Sequence, residues 1–269
     1  MKIALIQMTS GADVTANMNE LTQQIEKAVG EGAVFISTPE NSDFMSEDTV
    51  KRDAHHYDEH DHPFLSHFKK LAKDLNVWIH LGSIKIKSDE HKKYNRSYLI
   101  SNGGDIVADY NKIHLFDVDL PSGEVRRESH NISAGDKVVD ANTDIGHFGM
   151  TVCYDIRFPH LYRKLAKAGA DILLVPAAFT VPTGEMHWEV LLRARAIENG
   201  AYVVAAAQCG THDGGRKTYG HSMVVNPWGK VIAEAGAEPG ILYADIDKQE
   251  IANFRSAIPS LKHDRDITA

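Results

Sequence analysis

The segment "GMTVCYDIRFPHLYRKL", residues 149–165, joins a predicted strand to a predicted helix through a reactive side chain. The apolar run 150–152 is typical of a buried strand, and Pro159 opens an amphipathic pattern that predicts a helix. Cys153 lies between the two, and polar residues among 154–157 follow it directly. A thiol therefore ends a buried strand beside groups that donate and accept hydrogen bonds.

The order strand, helix, strand recurs on both sides of this segment. Buried apolar runs that alternate with amphipathic stretches indicate sheets covered by helices. A first helix over 13–33 has Thr15 or Asn17 as its expected N-cap. Further strands are predicted at 2–8, 34–40, 148–155, 171–179 and 201–208, and further helices at 63–75, 159–170, 184–200 and 248–258.

The predicted elements form an α/β fold in one domain, residues 1–269, because no linker rich in Pro, Ser or Gly interrupts them. A polar segment at 117–143 has few periodic residues. It is long for a structureless loop, so we expect it to carry short elements or a functional role.

Composition and charge exclude some classes of function. The chain has 269 residues, of which 43% are hydrophobic, and a formal net charge of −8. This acidic balance argues against a general binder of nucleic acid or of anionic membranes, which would require a basic surface. No apolar run reaches the roughly 18–20 residues of a membrane span. A small anionic substrate in a locally basic pocket is compatible with this charge.

Cys153 and Cys209 are the two cysteines of the chain, too few for a disulfide framework. Free thiols are typical of a reducing compartment, so the sequence predicts a cytoplasmic protein. Cys209 has no acidic or basic motif of its own, and we expect it in the core or in a pocket wall.

Three residues with reactive side chains each follow a predicted strand: Glu40, Lys112 and Cys153. In layered α/β folds, functional groups gather where strands end and loops begin. A carboxylate can take a thiol proton and then activate water, while an ammonium stabilises an oxyanion. Together the three groups would suit an acyl-transfer hydrolase that forms a thioester. Each alone has a plainer interpretation: a turn or cap, a solvated charge and a buried small hydrophobe.

Three motifs resemble, in their order, the signatures of the nitrilase superfamily of carbon–nitrogen hydrolases. They are "TPEN" at 38–41, "NKIHLFD" at 111–117 and "VCYDIRFP" at 152–159. The resemblance runs from Lys2 to about Ala252. It implies a four-layer α–β–β–α sandwich, no cofactor, a small-molecule amide as substrate, and a homodimer formed through helices after the nucleophile strand.

The same resemblance implies roles for five residues. Cys153 is the expected nucleophile and Glu40 the expected general base. Lys112 and the backbone N–H of Tyr154 are expected to hold the oxyanion. Glu128, in "RRESHN", corresponds to the second glutamate of the family and would orient Lys112 and the leaving group.

Two branches of the superfamily resemble this chain most, the ω-amidases and the deaminated glutathione amidases. Both share "HWEVLLRARAIE" at 187–198, whereas "YVVAAAQCGTHDGG" at 202–215 and "YGHSMVVNPWG" at 219–229 resemble the second branch more closely. This implies hydrolysis of deaminated glutathione to 2-oxoglutarate and cysteinylglycine. An ω-amidase acting on 2-oxoglutaramate, another short-chain amidase and a non-catalytic interaction module are the alternatives.

Candidate groups for the substrate carboxylate are Arg126, Arg127 and Arg157, because a guanidinium can bind a carboxylate through two hydrogen bonds. Exposed loop charges are the alternative for Arg126 and Arg127, and an ion pair that fixes the loop is the alternative for Arg157. Phe179 and Thr180 end a predicted strand and are expected either to line the pocket or to belong to the core.

The run "HHYDEHDH" at 55–62 contains four histidines and three acids, as metal sites often do. His55 and His56 are adjacent and cannot both face one ion on a regular element, and no HExxH or paired CxxC pattern accompanies them. The sequence therefore predicts a solvated loop and no metal site, and a metal hydrolase is the least favoured alternative.

Overall fold

The computed structural model describes residues 1–88, 92–120, 123 and 125–265. Its helices are α1 (Val14–Gly30), α2 (Thr49–Ala54), α3 (Pro63–Leu75), α4 (Pro159–Ala168), α5 (Val181–Asn199), α6 (Lys248–Ala257) and α7 (Ser260–His263). Its strands are β1 (Lys2–Gln7), β2 (Phe35–Ser37), β3 (Trp78–Lys87), β4 (Lys93–Ile100), β5 (Ile106–Asn111), β6 (Asp117–Asp119), β7 (Val125–Arg127), β8 (Asp140–Asn142), β9 (His147–Met150), β10 (Ile172–Leu174), β11 (Tyr202–Ala205), β12 (Cys209–Thr211), β13 (Lys217–Tyr219), β14 (Met223–Val225), β15 (Val231–Glu234) and β16 (Gly240–Asp245).

Two six-stranded sheets form the centre of the fold. The first has the order β16-β1-β2-β3-β4-β5, and the second has the order β15-β14-β11-β10-β9-β8. In each sheet the three central strands are parallel, and antiparallel strands complete both edges. The parallel strands end at the same edge of their sheet, which gathers the following loops at one place.

The inner faces of the two sheets pack against each other. Phe35 of the first sheet stacks on Phe148 of the second, with ring centroids 4.9 Å apart. Along β1, Ile3 and Leu5 enter this shared core, whereas Ala4 and Ile6 face the other way. This alternation is the two-residue period of a strand that is buried on both faces.

Helices cover the two outer faces. The outer face of the first sheet packs on the apolar sides of α1 and α3, through residues such as Leu21 and Phe68. On the second sheet, α4 and α5 contribute Leu165 and Trp188 to the core. The layers are therefore helix, sheet, sheet, helix, which confirms the predicted α/β sandwich. Within the described residues, no helix is long and apolar enough to cross a membrane.

Local details correct two expectations. Asp13, not Thr15 or Asn17, caps α1, because its carboxylate accepts hydrogen bonds from the N–H groups of the first turn. The strand predicted through 148–155 ends at Met150, and a 3₁₀ turn begins at Cys153. The segment 117–143 carries short elements as expected, namely β6, β7, a 3₁₀ turn and β8.

Candidate active site

Cys153 occupies a strained turn just beyond β9. Its φ is +49°, a left-handed conformation that residues other than glycine adopt rarely. The turn is held because the Cys153 N–H donates to the Pro176 carbonyl at 2.9 Å. Strain of this kind is often found at functional sites, where the surrounding structure holds it in place.

The Asp155 side chain holds this turn in place. The buried carboxylate accepts hydrogen bonds from the Val152 N–H at 2.8 Å and from the Tyr110 hydroxyl at 2.8 Å. Its other oxygen accepts from the His114 backbone N–H and contacts the His114 ring nitrogen Nδ1 at 2.6 Å. Asp155 thus ties the Cys153 turn to the loop on either side of Lys112.

Glu40 follows β2, and its position depends on a close approach by the neighbouring strand. A Cβ on Gly82 would lie 2.0 Å from the Thr38 carbonyl oxygen and 2.6 Å from that of Pro39, so only glycine fits there. The Glu40 carboxylate accepts a hydrogen bond from the Ala178 N–H at 2.8 Å. Its backbone carbonyl accepts from the Gln208 amide at 3.0 Å.

Lys112 connects two carboxylates at the centre of the site. Its ammonium lies 2.9 Å from Glu40 Oε1 and 2.8 Å from Glu128 Oε2. The Asn95 amide donates to the same two carboxylates, at 2.8 Å to Glu40 and 3.2 Å to Glu128. The Phe116 N–H donates to Glu128 at 2.7 Å. The carboxylate, ammonium and carboxylate are therefore held in one orientation.

These charges set the protonation states of the site. Burial raises the pKa of the Glu40 carboxyl, but Lys112 and Lys85 outweigh burial and hold that pKa at about 2. Burial lowers the pKa of Lys112, but Glu128 and Glu40 outweigh it and the pKa lies well above its usual value. Burial and then Glu40 raise the pKa of the Cys153 thiol, against an opposing effect of Lys112. At neutral pH the site holds a neutral thiol, a carboxylate and an ammonium.

A cavity of about 810 Å³ opens onto these groups. Glu40, Lys112, Glu128 and Cys153 all contribute to its wall, as does Tyr154. The volume is typical of pockets for small molecules. The structure therefore brings together every residue for which the sequence predicted a part in the chemistry.

The residues predicted to bind the substrate differ in where the structure places them. Phe179 and Thr180, which were expected either to line the pocket or to belong to the core, line the cavity, and Phe179 also packs in the core. Arg127 lines it too, but its guanidinium is paired with Asp119 at 2.7 and 2.8 Å. Arg157 is absent from the wall that the described residues form, and its guanidinium instead contacts a ring nitrogen of His187.

Three cationic or polar residues in the site escaped sequence reasoning. Lys85 and Arg216 line the cavity, and Asn95 bridges the two glutamates. The Lys85 ammonium makes no hydrogen bond within the part of the chain that the structure describes, and burial lowers its pKa. The alternation "IKIK" at 84–87 could have placed Lys85 on one face of a strand, but not at the pocket.

The histidine run agrees only in part with the expectation of a solvated loop, because two of its histidines are buried. His55 and His62 are buried and face Asp43, whereas the side chain of His60 is 78% exposed. His55 and His62 are buried because the segment 55–62 packs against the loop after β2, and no local sequence pattern encodes that packing.

Cys209 is buried in the core, and its thiol donates to the Met8 carbonyl.

Comparison with known proteins gives four matches: one family, one relative of known name and two solved structures. The sequence profile of the family described as carbon–nitrogen hydrolase matches residues 2–256. A deaminated glutathione amidase of Synechocystis is 42% identical over 265 residues, which cover 97% of this chain and 96% of that protein. The crystal structure of the C. elegans NitFhit protein has a TM-score of 0.91 at 38% identity, over 98% of this chain and 65% of that longer one. Nit3 of Saccharomyces cerevisiae, a member of branch 10 of the nitrilase superfamily, has a TM-score of 0.86 at 30% identity, over 96% of this chain and 94% of that one.

The chain therefore belongs to the carbon–nitrogen hydrolase family, within the nitrilase superfamily. This confirms the resemblance that the motifs around Glu40, Lys112 and Cys153 predicted. Membership makes the protein a hydrolase of carbon–nitrogen bonds. The cavity that Glu40, Lys112 and Cys153 line is the candidate site for this chemistry.

Proposed function

We propose that the protein is an amidase that hydrolyses deaminated glutathione to 2-oxoglutarate and cysteinylglycine through a thioester on Cys153. The observation that carries the chemistry is the buried arrangement in which Lys112 links Glu40 and Glu128 beside the Cys153 thiol. The name of the Synechocystis relative supports the substrate. The two steps of the reaction follow from the protonation states of the site.

In the first step Glu40 is the general base. Because the thiol is neutral and the carboxylate is ionised at rest, the proton moves from sulfur to Glu40 as sulfur attacks the amide carbonyl. The ammonium of Lys112 and the Tyr154 N–H stabilise the oxyanion that forms. Protonated Glu40 then gives its proton to the amide nitrogen, the C–N bond breaks, and cysteinylglycine leaves.

In the second step the same carboxylate activates water. Glu40, ionised again, takes a proton from a water molecule that attacks the thioester carbonyl. The tetrahedral intermediate collapses, its C–S bond breaks, and 2-oxoglutarate leaves while the proton returns to the Cys153 sulfur. Glu128 keeps Lys112 oriented in both steps, because it holds the ammonium through both carboxylate oxygens.

The charges of the cavity support a substrate with two carboxylates. Lys85 interacts electrostatically with Glu40 and Glu128, so it lies near the reacting atoms and is suited to the oxo-acid carboxylate. Arg216 lines the same cavity, and its Nε makes no hydrogen bond among the described residues. We assign it to the glycyl carboxylate of the leaving group. These two residues take the place of Arg127, which is paired with Asp119, and of Arg157, which is absent from the cavity wall that the described residues form.

The test is hydrolysis of deaminated glutathione and of 2-oxoglutaramate by the purified protein, with kcat/KM for each. We expect a preference of about tenfold or more for deaminated glutathione, because a hydrogen bond to a charged group contributes about 1.5–3 kcal/mol and each 1.4 kcal/mol corresponds to about tenfold. Arg216→Met should remove that preference and leave turnover of 2-oxoglutaramate unchanged. A preference for 2-oxoglutaramate in the unmodified protein would instead identify an ω-amidase, and absence of turnover on any amide would favour the non-catalytic module.

We also propose a homodimer formed through α5. Met186, Val190 and Ile197 lie on one side of this helix, and the first two are 64% and 67% exposed. Apolar side chains that cluster on an exposed helix face are typical of interfaces. Val190→Glu should convert a dimer to a monomer in light scattering, and a monomeric unmodified protein would contradict the proposal. The cytoplasmic location and the single domain over 1–269 stay predictions.

A further inference from the structure

A second cluster of polar side chains lies outside the catalytic centre. Asp43, from the loop after β2, meets His55, which follows α2, and His62, which precedes α3. One ligand atom from each residue lies within 4.8 Å of the other two. His55 Nε2 is 2.6 Å from Asp43 Oδ2, and His62 Nε2 is 3.5 Å from the same oxygen.

This cluster lacks a partner. His62 is fully buried, yet neither of its ring nitrogens makes a hydrogen bond among the described residues. Asp43 Oδ1 is also buried without a hydrogen bond there. Buried polar atoms are nearly always paired, since an unpaired one loses its hydrogen bonds to water without gaining others. Three such atoms within one cluster indicate that a bound species completes it.

The donor set specifies the kind of species. Two imidazoles and one carboxylate are ligands of Zn²⁺ and of similar transition-metal ions. Metal–ligand bonds of about 2.0–2.2 Å place tetrahedral ligand atoms about 3.3 Å apart, close to the 2.6 and 3.5 Å that separate the two imidazole nitrogens from Asp43 Oδ2. We propose that Asp43, His55 and His62 bind one divalent transition-metal ion, with a further position open to water.

Binding requires little rearrangement. The ion takes the place of the hydrogen bond between His55 Nε2 and Asp43 Oδ2, two atoms that already face each other at 2.6 Å. His55 lines the large cavity, which gives the ion a route from solvent. Asp43 Oδ2 also accepts the Lys85 N–H at 3.1 Å, so the carboxylate is already oriented by a strand.

The ion would fasten the wall of the pocket and take no part in the reaction. It joins the loop that carries Glu40 and the end of α2, both of which line the cavity, to the start of α3. The proposal is independent of the substrate assignment, because it rests on residues that the catalytic steps do not use.

The test is a titration of the tag-free, chelator-treated full chain with Co²⁺, followed by its visible d–d absorption and by mass measurement of the metal content. We expect one equivalent of Co²⁺, displaced by Zn²⁺. His62→Ala and His55→Ala should each weaken binding by at least about tenfold. His60→Ala is the matched control from the same run, and Cys153→Ala excludes binding at the thiol; both should bind as the unmodified chain does.

X-ray absorption of the unmodified chain loaded with Zn²⁺ covers the case in which a histidine variant fails to fold. Nitrogen and oxygen neighbours at about 2.0–2.2 Å with imidazole scattering are expected. Sulfur neighbours at about 2.3 Å would place the ion on a cysteine and overturn the proposal. So would the absence of stoichiometric uptake, or uptake that the His55 and His62 variants leave unchanged.

Discussion

Two buried polar clusters begin in the same loop and differ in how completely they are paired. In the catalytic cluster Lys112 contacts Glu40 and both oxygens of Glu128, and backbone N–H groups hold the carboxylates. The histidine cluster consists of Asp43, which is three residues after Glu40, together with His55 and His62. Among the described residues, both ring nitrogens of His62 and one oxygen of Asp43 make no hydrogen bond. Among the described residues, the carboxylates and the ammonium of the first cluster are all paired before any ligand arrives, whereas His62 and one oxygen of Asp43 in the second are not.

This difference separates a reactive site from a binding site. Charges that are already paired and oriented cost no reorganisation when an oxyanion develops, which is what catalysis requires. Unpaired ligand atoms in a buried place gain most from an added ion, because the ion supplies the missing interactions. The two clusters should therefore respond to different perturbations, the first to loss of a side chain and the second to loss of a metal.

The largest expected effect is on the nucleophile. Cys153→Ala should lower kcat/KM by about 10⁴-fold or more, as loss of a covalent nucleophile does, while the circular dichroism spectrum stays unchanged. Cys209→Ala is the matched control, since that thiol is buried in the core, and should retain turnover. A metal chelator should leave the rate unchanged. If Cys153→Ala kept its activity, or if a chelator abolished the activity of the unmodified protein, the two clusters could not be divided into a reactive site and a metal-binding site.

The second effect concerns the pairing of Lys112. Glu128→Gln keeps the shape of the side chain but removes one of the two negative charges that contact the Lys112 ammonium. We expect kcat to fall by about 10²-fold with little change in KM, because Lys112 is then pulled toward Glu40 alone. An unchanged kcat would show that Glu128 has no part in orienting Lys112.

A smaller effect is expected at the rim of the catalytic cluster. Lys85→Met should lower kcat/KM for deaminated glutathione by about 10–100-fold, because a charge-assisted bond to the oxo-acid carboxylate is lost. Lys87→Met is the matched control: it lies two residues further along the same strand, and its ammonium faces Asp58 at the surface. Equal activities of the two variants would contradict the role of Lys85.

The smallest expected effect is on the pH profile. The pKa of Glu40 is lowered from 4.5 to about 2, so this base stays ionised as pH falls, and only below about 4.5 is its contribution to stability lost. For a neutral short-chain amide, kcat/KM should therefore change by less than about twofold between pH 7 and pH 5. An acidic limb near pH 6 would show that the base titrates there and that Lys112 does not hold it ionised.

The sequence predicted the catalytic cluster better than the histidine cluster, for a physical reason. Glu40, Lys112 and Cys153 follow regular strands, and the ends of strands in an α/β sandwich converge. Lys85 and Lys87 share one face of β3, and only tertiary packing places one in the pocket and the other at the surface. His55 and His62 lie in an irregular segment whose burial depends on Asp43, so their contact has no local signature.

The most direct test of the thioester is partitioning between water and hydroxylamine. Deaminated glutathione and 2-oxoglutaramate have different leaving groups but would form the same 2-oxoglutaryl thioester on Cys153. The ratio of 2-oxoglutarate to its hydroxamate, each counted together with the oxime that hydroxylamine forms at its 2-oxo group, should therefore be identical for both substrates at each hydroxylamine concentration. A ratio that depends on the leaving group would mean that water attacks the amide directly, and it would contradict a covalent intermediate on Cys153.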